Sequence, residues 1–307
     1  MLDDVIDKST LLRGEVSESV TSLQQKTAEI LAGQSKSSSR FYCDAFDDEE
    51  VNKVVRNVPP HVVTLIGFAN FGKSTFVGSL YYYLMKFGGI AGYTFYDSDT
   101  FSGFERRTYI RNVKINLQNR TLRTTVLEGY FLSLHLEKDN KPFELVVSDR
   151  SGETYEKSYT ADGNKVQADK GLKSCKHLIF FIDASVFTDT QKRIIFKGNF
   201  NKLLSRMKDA KIFSRNVTID LIFNKIDIVE ECDDDDLKEK FRAESSTFIE
   251  NLESHVGQEI NKVFKIASYK VQGNKPLEEV FEYLVDCCNT KKAYYPKVDW
   301  VTQLLKQ

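Results

Sequence analysis

From residue 61 onward, short apolar stretches alternate with longer stretches in which apolar side chains recur at helical spacing. The apolar stretches predict strands at residues 61–67, 143–149, 177–185, 217–227 and 263–270. The amphipathic stretches predict helices at residues 72–88, 188–209, 237–255 and 276–288. Such repeated alternation predicts an α/β fold of three layers, with a mostly parallel central sheet and helices on both faces.

Two further stretches, at residues 112–118 and 131–138, alternate apolar and polar residues. This pattern is typical of strands in which every second side chain faces a core. In the second stretch, Leu132, Leu134 and Leu136 fall on one face. Both stretches are therefore predicted to be strands.

Composition also divides the chain into three parts. Residues 1–58 form an N-terminal helical arm with a Ser-rich linker, residues 59–289 form the main domain, and residues 290–307 form a C-terminal tail. The arm carries a thin apolar stripe, and the tail carries a small apolar face around Trp300. For both, packing on the main domain and binding to a partner remain open interpretations.

Overall charge and cysteine usage narrow the class of protein. The 43 basic and 44 acidic side chains give a net charge of −1, so the bulk charge does not indicate binding to nucleic acid or to a membrane surface. No apolar run approaches the roughly 20 residues needed to span a bilayer. The five cysteines show no paired metal-binding spacing, and the four histidines are isolated from one another in sequence. Such a scattered set of cysteines is typical of reduced thiols in the cytoplasm.

The stretch GFANFGKS, residues 67–74, fits the pattern G-x-x-x-x-G-K-S between a predicted strand and a predicted helix. In such a loop the backbone N–H groups surround a phosphate, and the following helix directs its positive end at the anion. Lys73 would neutralise the β- and γ-phosphates, and Ser74 would ligate Mg²⁺. The predicted nucleotide contacts of this loop are Gly67, Asn70, Phe71, Gly72, Lys73, Ser74 and Thr75.

A second motif, D-x-x-G, follows the predicted strand at residues 143–149. Ligands of α/β sheets bind at the carboxyl ends of the strands, which is where Asp149 lies. Asp149 can reach Mg²⁺ through water, and Gly152 can donate its N–H to a γ-phosphate.

Two more motifs lie at the ends of later predicted strands, where they could recognise the base of a bound nucleotide. Asn224, Lys225 and Asp227 end one strand, and a carboxylate there can accept hydrogen bonds from guanine N1–H and N2–H₂. Adenine offers no such pair of donors. A backbone N–H near Ala267 or Ser268 would then meet guanine O6.

The order of these motifs resembles that of the translation-factor-related P-loop GTPases, the class that includes Ras-like proteins, over residues 60–289. The resemblance implies a site for GTP or GDP with Mg²⁺, slow hydrolysis and two switch segments. More narrowly, SDTFSGFERR and LRTTVLEGYFLSLHL ahead of DRSGE resemble the double-GTPase-type domains of bacterial conflict and defence systems. That resemblance implies a molecular switch in antiviral defence, acting on a protein effector or as a homo-oligomer.

The chain departs from minimal Ras-like domains between its first two motifs, because 76 positions separate Lys73 from Asp149. Residues about 89–125 therefore indicate an enlarged first switch region, which we expect to be mobile without nucleotide. The switch threonine that ligates Mg²⁺ is expected to be Thr124, with Thr125 as the alternative.

The catalytic groups also depart from the Ras-like pattern. Glu153 replaces the glutamine that orients the attacking water, and a carboxylate there would repel the γ-phosphate. Asn70 occupies the loop position at which potassium-activated members of the class place an asparagine, so K⁺ is a candidate cofactor. Arg123 or Arg120 is a candidate internal arginine finger. Besides Lys73 and Thr124, the catalytic candidates are therefore Glu153 and Asn70.

Two other functions remain open. A non-hydrolysing GTP-binding module would be consistent with Glu153 in the water-orienting position. A P-loop ATPase or kinase would share the phosphate loop, but Asn224 and Asp227 favour guanine.

Overall fold

The computed structural model describes residues 43–50, 60–112, 129–213, 216–271 and 273–288 of the chain. Its strands are β1 (His61–Ile66), β2 (Gly89–Ile90), β3 (Tyr93–Asp97), β4 (Phe131–Lys138), β5 (Lys141–Ser148), β6 (His177–Asp183), β7 (Thr218–Asn224) and β8 (Lys262–Ile266). These strands form one sheet in the order β2-β3-β4-β5-β1-β6-β7-β8.

The sheet has a parallel part and an antiparallel part. β5, β1, β6, β7 and β8 run parallel, which confirms the predicted mostly parallel centre. β2, β3 and β4 pair antiparallel and extend one edge, and β4 joins β5 through Asp139 and Asn140. Both turn residues have a positive φ, which is typical of a type I′ turn between paired strands.

The helices cover both faces of this sheet. They are α1 (Lys73–Phe87), α2 (Phe101–Asn112), α3 (Gly163–Ala168), α4 (Lys170–Ser174), α5 (Thr190–Asp209), α6 (Ile226–Glu230), α7 (Asp235–Val256) and α8 (Lys275–Cys287), with a π-helix at Thr154–Tyr159 and a 3₁₀ turn at Ala184–Phe187. Side chains of α1, α2 and α8 enclose one apolar core, and side chains of the π-helix, α5 and α7 enclose another. The three predicted layers are thereby confirmed.

Local sequence explains where the long helices begin. Carboxylate or amide oxygens of Asp189, Asp234 and Asn274 accept backbone N–H groups in the first turns of α5, α7 and α8. Such side chains satisfy donors that have no partner within the helix. The helices predicted at residues 72–88, 188–209, 237–255 and 276–288 correspond to α1, α5, α7 and α8.

The enlarged first switch region contains regular structure in its described part. Residues 89–112 form β2, β3 and α2. Its nucleotide-dependent mobility stays a prediction. The strand predicted at residues 112–118 lies, beyond its first residue, outside the described residues, as do residues 1–42 of the arm and the tail from residue 290. Within the described part of the chain, no helix combines the length and apolarity needed to cross a membrane.

Segment 43–50, which the sequence assigns to the N-terminal arm, packs against the domain. The Phe46 N–H donates to the carbonyl oxygen of Phe131 at 2.9 Å, beside the start of β4. The Ser102 N–H, in the first turn of α2, donates to the carbonyl oxygen of Cys43 at 2.9 Å. The segment therefore connects the start of β4 with the start of α2.

Candidate functional site

The loop between β1 and α1 has a backbone shape that requires its glycines. Gly72 has a φ of +92°, and an added Cβ would lie 2.2 Å from Nδ2 of Asn224. A Cβ on Gly67 would lie 2.4 Å from the carbonyl oxygen of Phe181. Asn70 also has a positive φ, of 65°, and its side chain is exposed. Larger side chains at positions 67 and 72 would distort the loop, as expected for a phosphate loop.

Lys73 begins α1 and directs its side chain back towards this loop. Its Nζ donates a hydrogen bond of 2.6 Å to the carbonyl oxygen of Gly67, and its side chain is buried. Burial lowers the pKa of Lys73 to about 8, and the carboxylates of Asp149 and Glu156 oppose this shift. A phosphate in the loop would stabilise the buried ammonium group, because an opposite charge favours the ionised form.

Asn224, the last residue of β7, connects the phosphate loop with the turn after β8. Its Nδ2 donates to the carbonyl oxygen of Phe71 at 2.8 Å. Its Oδ1 accepts the N–H of Ser268 at 2.9 Å and the Ser268 hydroxyl at 2.7 Å. The Ser268 N–H is engaged by Asn224 in this structure, and the contact of Ala267 or Ser268 with guanine O6 stays a prediction.

Asn224→Ala is expected to destabilise the nucleotide-free protein by about 3 kcal/mol, because three buried hydrogen bonds of about 1 kcal/mol each are lost. Urea unfolding followed by circular dichroism measures the change. Asn201→Ala, on the exposed face of α5, is a matched control that should change the stability by less than about 0.5 kcal/mol. Equal effects of the two variants would show that the Asn224 bridge contributes nothing.

The residues after Asn224 form the predicted base-recognition turn. Lys225 has a positive φ of 58°, and its Nζ forms an ion pair with Asp183 at the end of β6. Asp227 lies half-buried in the first turn of α6. Within the described residues, its carboxylate takes part in no hydrogen bond or ion pair. It therefore keeps its full capacity to accept hydrogen bonds from a base.

Asp149 follows β5 and is fully buried. Its Oδ2 accepts a hydrogen bond of 2.7 Å from Nε of Arg107, which lies on α2. Its Oδ1 is buried and has no hydrogen-bond partner within the described part of the chain. An unpaired carboxylate oxygen at the end of β5, the strand beside β1, fits a Mg²⁺ ion or one of its water ligands. Ser74, the other predicted Mg²⁺ ligand here, is half-buried in the first turn of α1 beside Thr75.

The chain that follows Asp149 lies directly on the phosphate loop. A Cβ on Gly152 would lie 2.4 Å from the Ala69 nitrogen and 2.4 Å from the Phe68 carbonyl oxygen, so only glycine allows this contact. Glu153 is half-buried and immediately precedes the π-helix. π-Helices are rare and occur frequently at functional sites. The second switch segment and the phosphate loop thus touch through backbone atoms.

Sequence reasoning missed Arg107. No local pattern distinguishes it from its neighbour Arg106, and its partner Asp149 follows 42 positions later. The only hint was the long separation of the first two motifs. The remaining predicted switch residues lie outside the described part of the chain, and their roles stay predictions: Arg120, Arg123, Thr124 and Thr125.

A strand that runs into a glycine-dependent loop with a buried lysine is the structural context that a phosphate loop requires. An aspartate ends the adjacent strand, and an Asn-Lys-Ile-Asp turn ends β7. Together these features define the P-loop GTPase class. The model of the Double-GTPase 2 family matches residues 61–284, and the chain belongs to this family. The predicted resemblance to double-GTPase-type domains is thereby confirmed.

Among solved structures, the chain matches the Arl6 (BBS3) small GTPase of Trypanosoma brucei with the bound nucleotide analogue GppNp. That match has 16% sequence identity and a TM-score of 0.39, and it covers 75% of this chain and 98% of the other. A comparison with curated proteins gave no match.

Proposed function

We propose that the protein is a cytoplasmic molecular switch that binds GTP with Mg²⁺ and hydrolyses it slowly. The observation that carries this proposal is the Asn224 bridge, because it holds the phosphate loop against the turn after β8. Asp227, three positions further along, would then meet the base of a nucleotide whose phosphates lie in the loop. Guanine is favoured over adenine because a desolvated, unmatched carboxylate costs about 1–3 kcal/mol or more.

The phosphate end of the nucleotide would be held by Lys73 and the loop backbone. On binding, Lys73 exchanges the Gly67 carbonyl oxygen for phosphate oxygens. Ser74 and Asp149 would hold Mg²⁺, and Thr124 is our proposed third ligand. The ion, when bound, neutralises charge on the β- and γ-phosphates.

Two residues bear on the rate of hydrolysis. Glu153 can accept a hydrogen bond from the attacking water, but its charge repels the γ-phosphate, so we expect slow turnover. The exposed amide of Asn70 would help to hold K⁺ against the phosphates. A cation there would stabilise the charge of the transition state in the place of an arginine finger.

Arg107 would couple the enlarged switch region to the nucleotide. Arg107 and a bound Mg²⁺ would both be cations beside Asp149, so binding of GTP with Mg²⁺ would weaken the Arg107–Asp149 pair. The resulting shift of α2 would alter the surface offered to a protein effector or to a second copy of the chain. The resemblance to double-GTPase-type domains supports a setting in antiviral defence as part of this proposal.

Release of phosphate from GTP, measured in K⁺ and in Na⁺, tests this proposal. Turnover in K⁺ should exceed that in Na⁺ by at least roughly tenfold, because the cation stabilises transition-state charge. Asn70→Ala should remove this difference. Equal rates in the two salts would contradict the role of Asn70.

Measurements of nucleotide binding, made beside the phosphate-release assay, distinguish the switch from the two alternative functions. Tight GTP binding without phosphate release in either salt would favour the non-hydrolysing GTP-binding module. If ATP displaces bound GDP as effectively as GTP does, the result would favour a P-loop ATPase or kinase. It would also contradict the role of Asp227.

A further inference from the structure

Two histidines and a cysteine that are far apart in sequence meet at the amino-terminal ends of the central parallel strands, whereas the nucleotide site lies at their carboxyl ends. His61 begins β1, His177 begins β6 and Cys287 ends α8. One ring nitrogen of each histidine and the Cys287 sulfur all lie within 4.8 Å of one another. The two imidazole rings meet edge to face, with their centroids 5.8 Å apart.

Both histidines have a buried ring nitrogen that finds no hydrogen-bond partner among the described residues. These atoms are Nε2 of His61 and Nδ1 of His177. His177 is only 1% exposed, so its side chain lies almost entirely inside the protein. Buried polar atoms are normally paired. Two unpaired imidazole nitrogens in a cluster with a thiol therefore indicate a ligand that accepts nitrogen and sulfur donors.

Asp220 orients the more deeply buried histidine. Its Oδ2 forms a hydrogen-bonded ion pair with Nε2 of His177. Its Oδ1 accepts hydrogen bonds from Asn261 Nδ2 at 2.9 Å and from the Lys262 N–H at 3.0 Å. Histidines that bind metals typically donate their second ring N–H to a carboxylate, which fixes the tautomer. This arrangement leaves Nδ1 of His177 as the nitrogen that binds a metal.

We propose that His61, His177 and Cys287 bind a zinc ion. Imidazole and thiolate ligands suit Zn²⁺, whereas Mg²⁺ and Ca²⁺ prefer oxygen. Ligand atoms of tetrahedral zinc lie roughly 3.3–3.8 Å apart, so the three atoms have to approach each other by about 1 Å. Three protein ligands leave a fourth position for water. His61 and Cys287 are half-buried, which gives the ion access from solvent.

The proposed zinc site is independent of the proposed nucleotide switch. β1 and β6 begin at the zinc site and end at the nucleotide site, and strands of this length span roughly 20 Å. The ion would fasten the first residue of β1 to the last residue of α8. It would thereby constrain the two ends of the domain and contribute directly to the free energy of folding.

Metal titration of the full chain tests the proposal. Protein dialysed against a chelator is titrated with Zn²⁺ and, separately, with Co²⁺. We expect one ion per chain, a thiolate-to-Co²⁺ charge-transfer absorption and a higher unfolding temperature with Zn²⁺. Cys287→Ser should remove the absorption and lower the Zn²⁺ affinity at least tenfold, which is about the smallest loss expected for a lost ligand.

Two further variants make the result specific. Cys288→Ser is the matched control, because Cys288 directs its sulfur at the Leu284 carbonyl oxygen, 3.7 Å away, and should keep both ion and absorption. Asp220→Asn should keep the absorption and lower the Zn²⁺ affinity by about 10–100-fold. A cooperative unfolding transition in Cys287→Ser shows that this variant is folded. Absence of stoichiometric binding in the unaltered chain, or an absorption that persists in Cys287→Ser, would overturn the proposal.

Discussion

Asp227→Asn is expected to lower the affinity of the protein for GDP by about 100- to 1,000-fold, which corresponds to about 3–4 kcal/mol. The carboxylate would accept hydrogen bonds from guanine N1–H and N2–H₂, and bonds to charged groups contribute about 1.5–3 kcal/mol each. Asparagine keeps one acceptor oxygen and presents an NH₂ group to a guanine donor. One hydrogen bond is thus weakened, and the other is replaced by a donor–donor contact.

The same variant should gain affinity for xanthosine diphosphate. Xanthine has a carbonyl oxygen where guanine has its N2 amine, and the asparagine NH₂ can donate to that oxygen. Calorimetric titration of each variant with both diphosphates measures whether the preference changes from guanosine to xanthosine diphosphate. Asp233→Asn, an exposed acid with the same change in charge, should leave both affinities unaltered. Loss of affinity for both nucleotides in Asp227→Asn would contradict direct contact with the base.

Arg107→Met is expected to destabilise the nucleotide-free protein by about 3–5 kcal/mol, because it leaves the Asp149 charge buried without its partner. Methionine retains much of the side-chain volume, so the lost charge is the main change. The variant should also require less Mg²⁺ to bind GDP, since no arginine competes with the ion for Asp149. Urea unfolding in a chelator and Mg²⁺ titration of GDP binding measure the two effects.

Arg106→Met is the matched control for that experiment. Arg106 pairs with Asp44, and its side chain is 25% exposed, whereas that of Arg107 is 6% exposed. A partly exposed pair contributes only about 1 kcal/mol or less. The control should therefore unfold close to the unaltered protein and keep its Mg²⁺ requirement. Equal destabilisation by both substitutions would show that the Arg107–Asp149 pair has no special importance.

The parallel part of the sheet could be predicted from sequence because each of its strands is marked by an apolar run within its own residues. β1, β6 and β7 bury nearly every residue, so their apolar runs are visible without knowledge of their neighbours. The phosphate loop is equally local, because two glycines and a lysine at fixed spacing determine its shape. The Asn224 motif was found for the same reason. Its role as a bridge between Phe71 and Ser268 depends on residues more than forty positions away.

The antiparallel edge and the switch-region contacts could not be predicted in this way. β2 has two residues, and the side chains of β3 alternate in exposure without a clear apolar run. The pairing of Arg107 with Asp149 joins α2 to the end of β5, and these two residues lie 42 positions apart in sequence. The cluster of proposed zinc ligands could not be predicted for the same reason. His61 and His177 are isolated in sequence and meet only through the pairing of β1 with β6.

The adjacent arginines Arg106 and Arg107 of α2 hold two different parts of the chain. Neighbouring residues of a helix point about 100° apart. Arg107 can therefore hold the buried Asp149 while Arg106 holds Asp44 in segment 43–50. The Cys43 carbonyl oxygen fixes the first turn of the same helix. Displacement of Arg107 by an ion at Asp149 would then pull on segment 43–50 through Arg106 and through the Cys43 carbonyl oxygen.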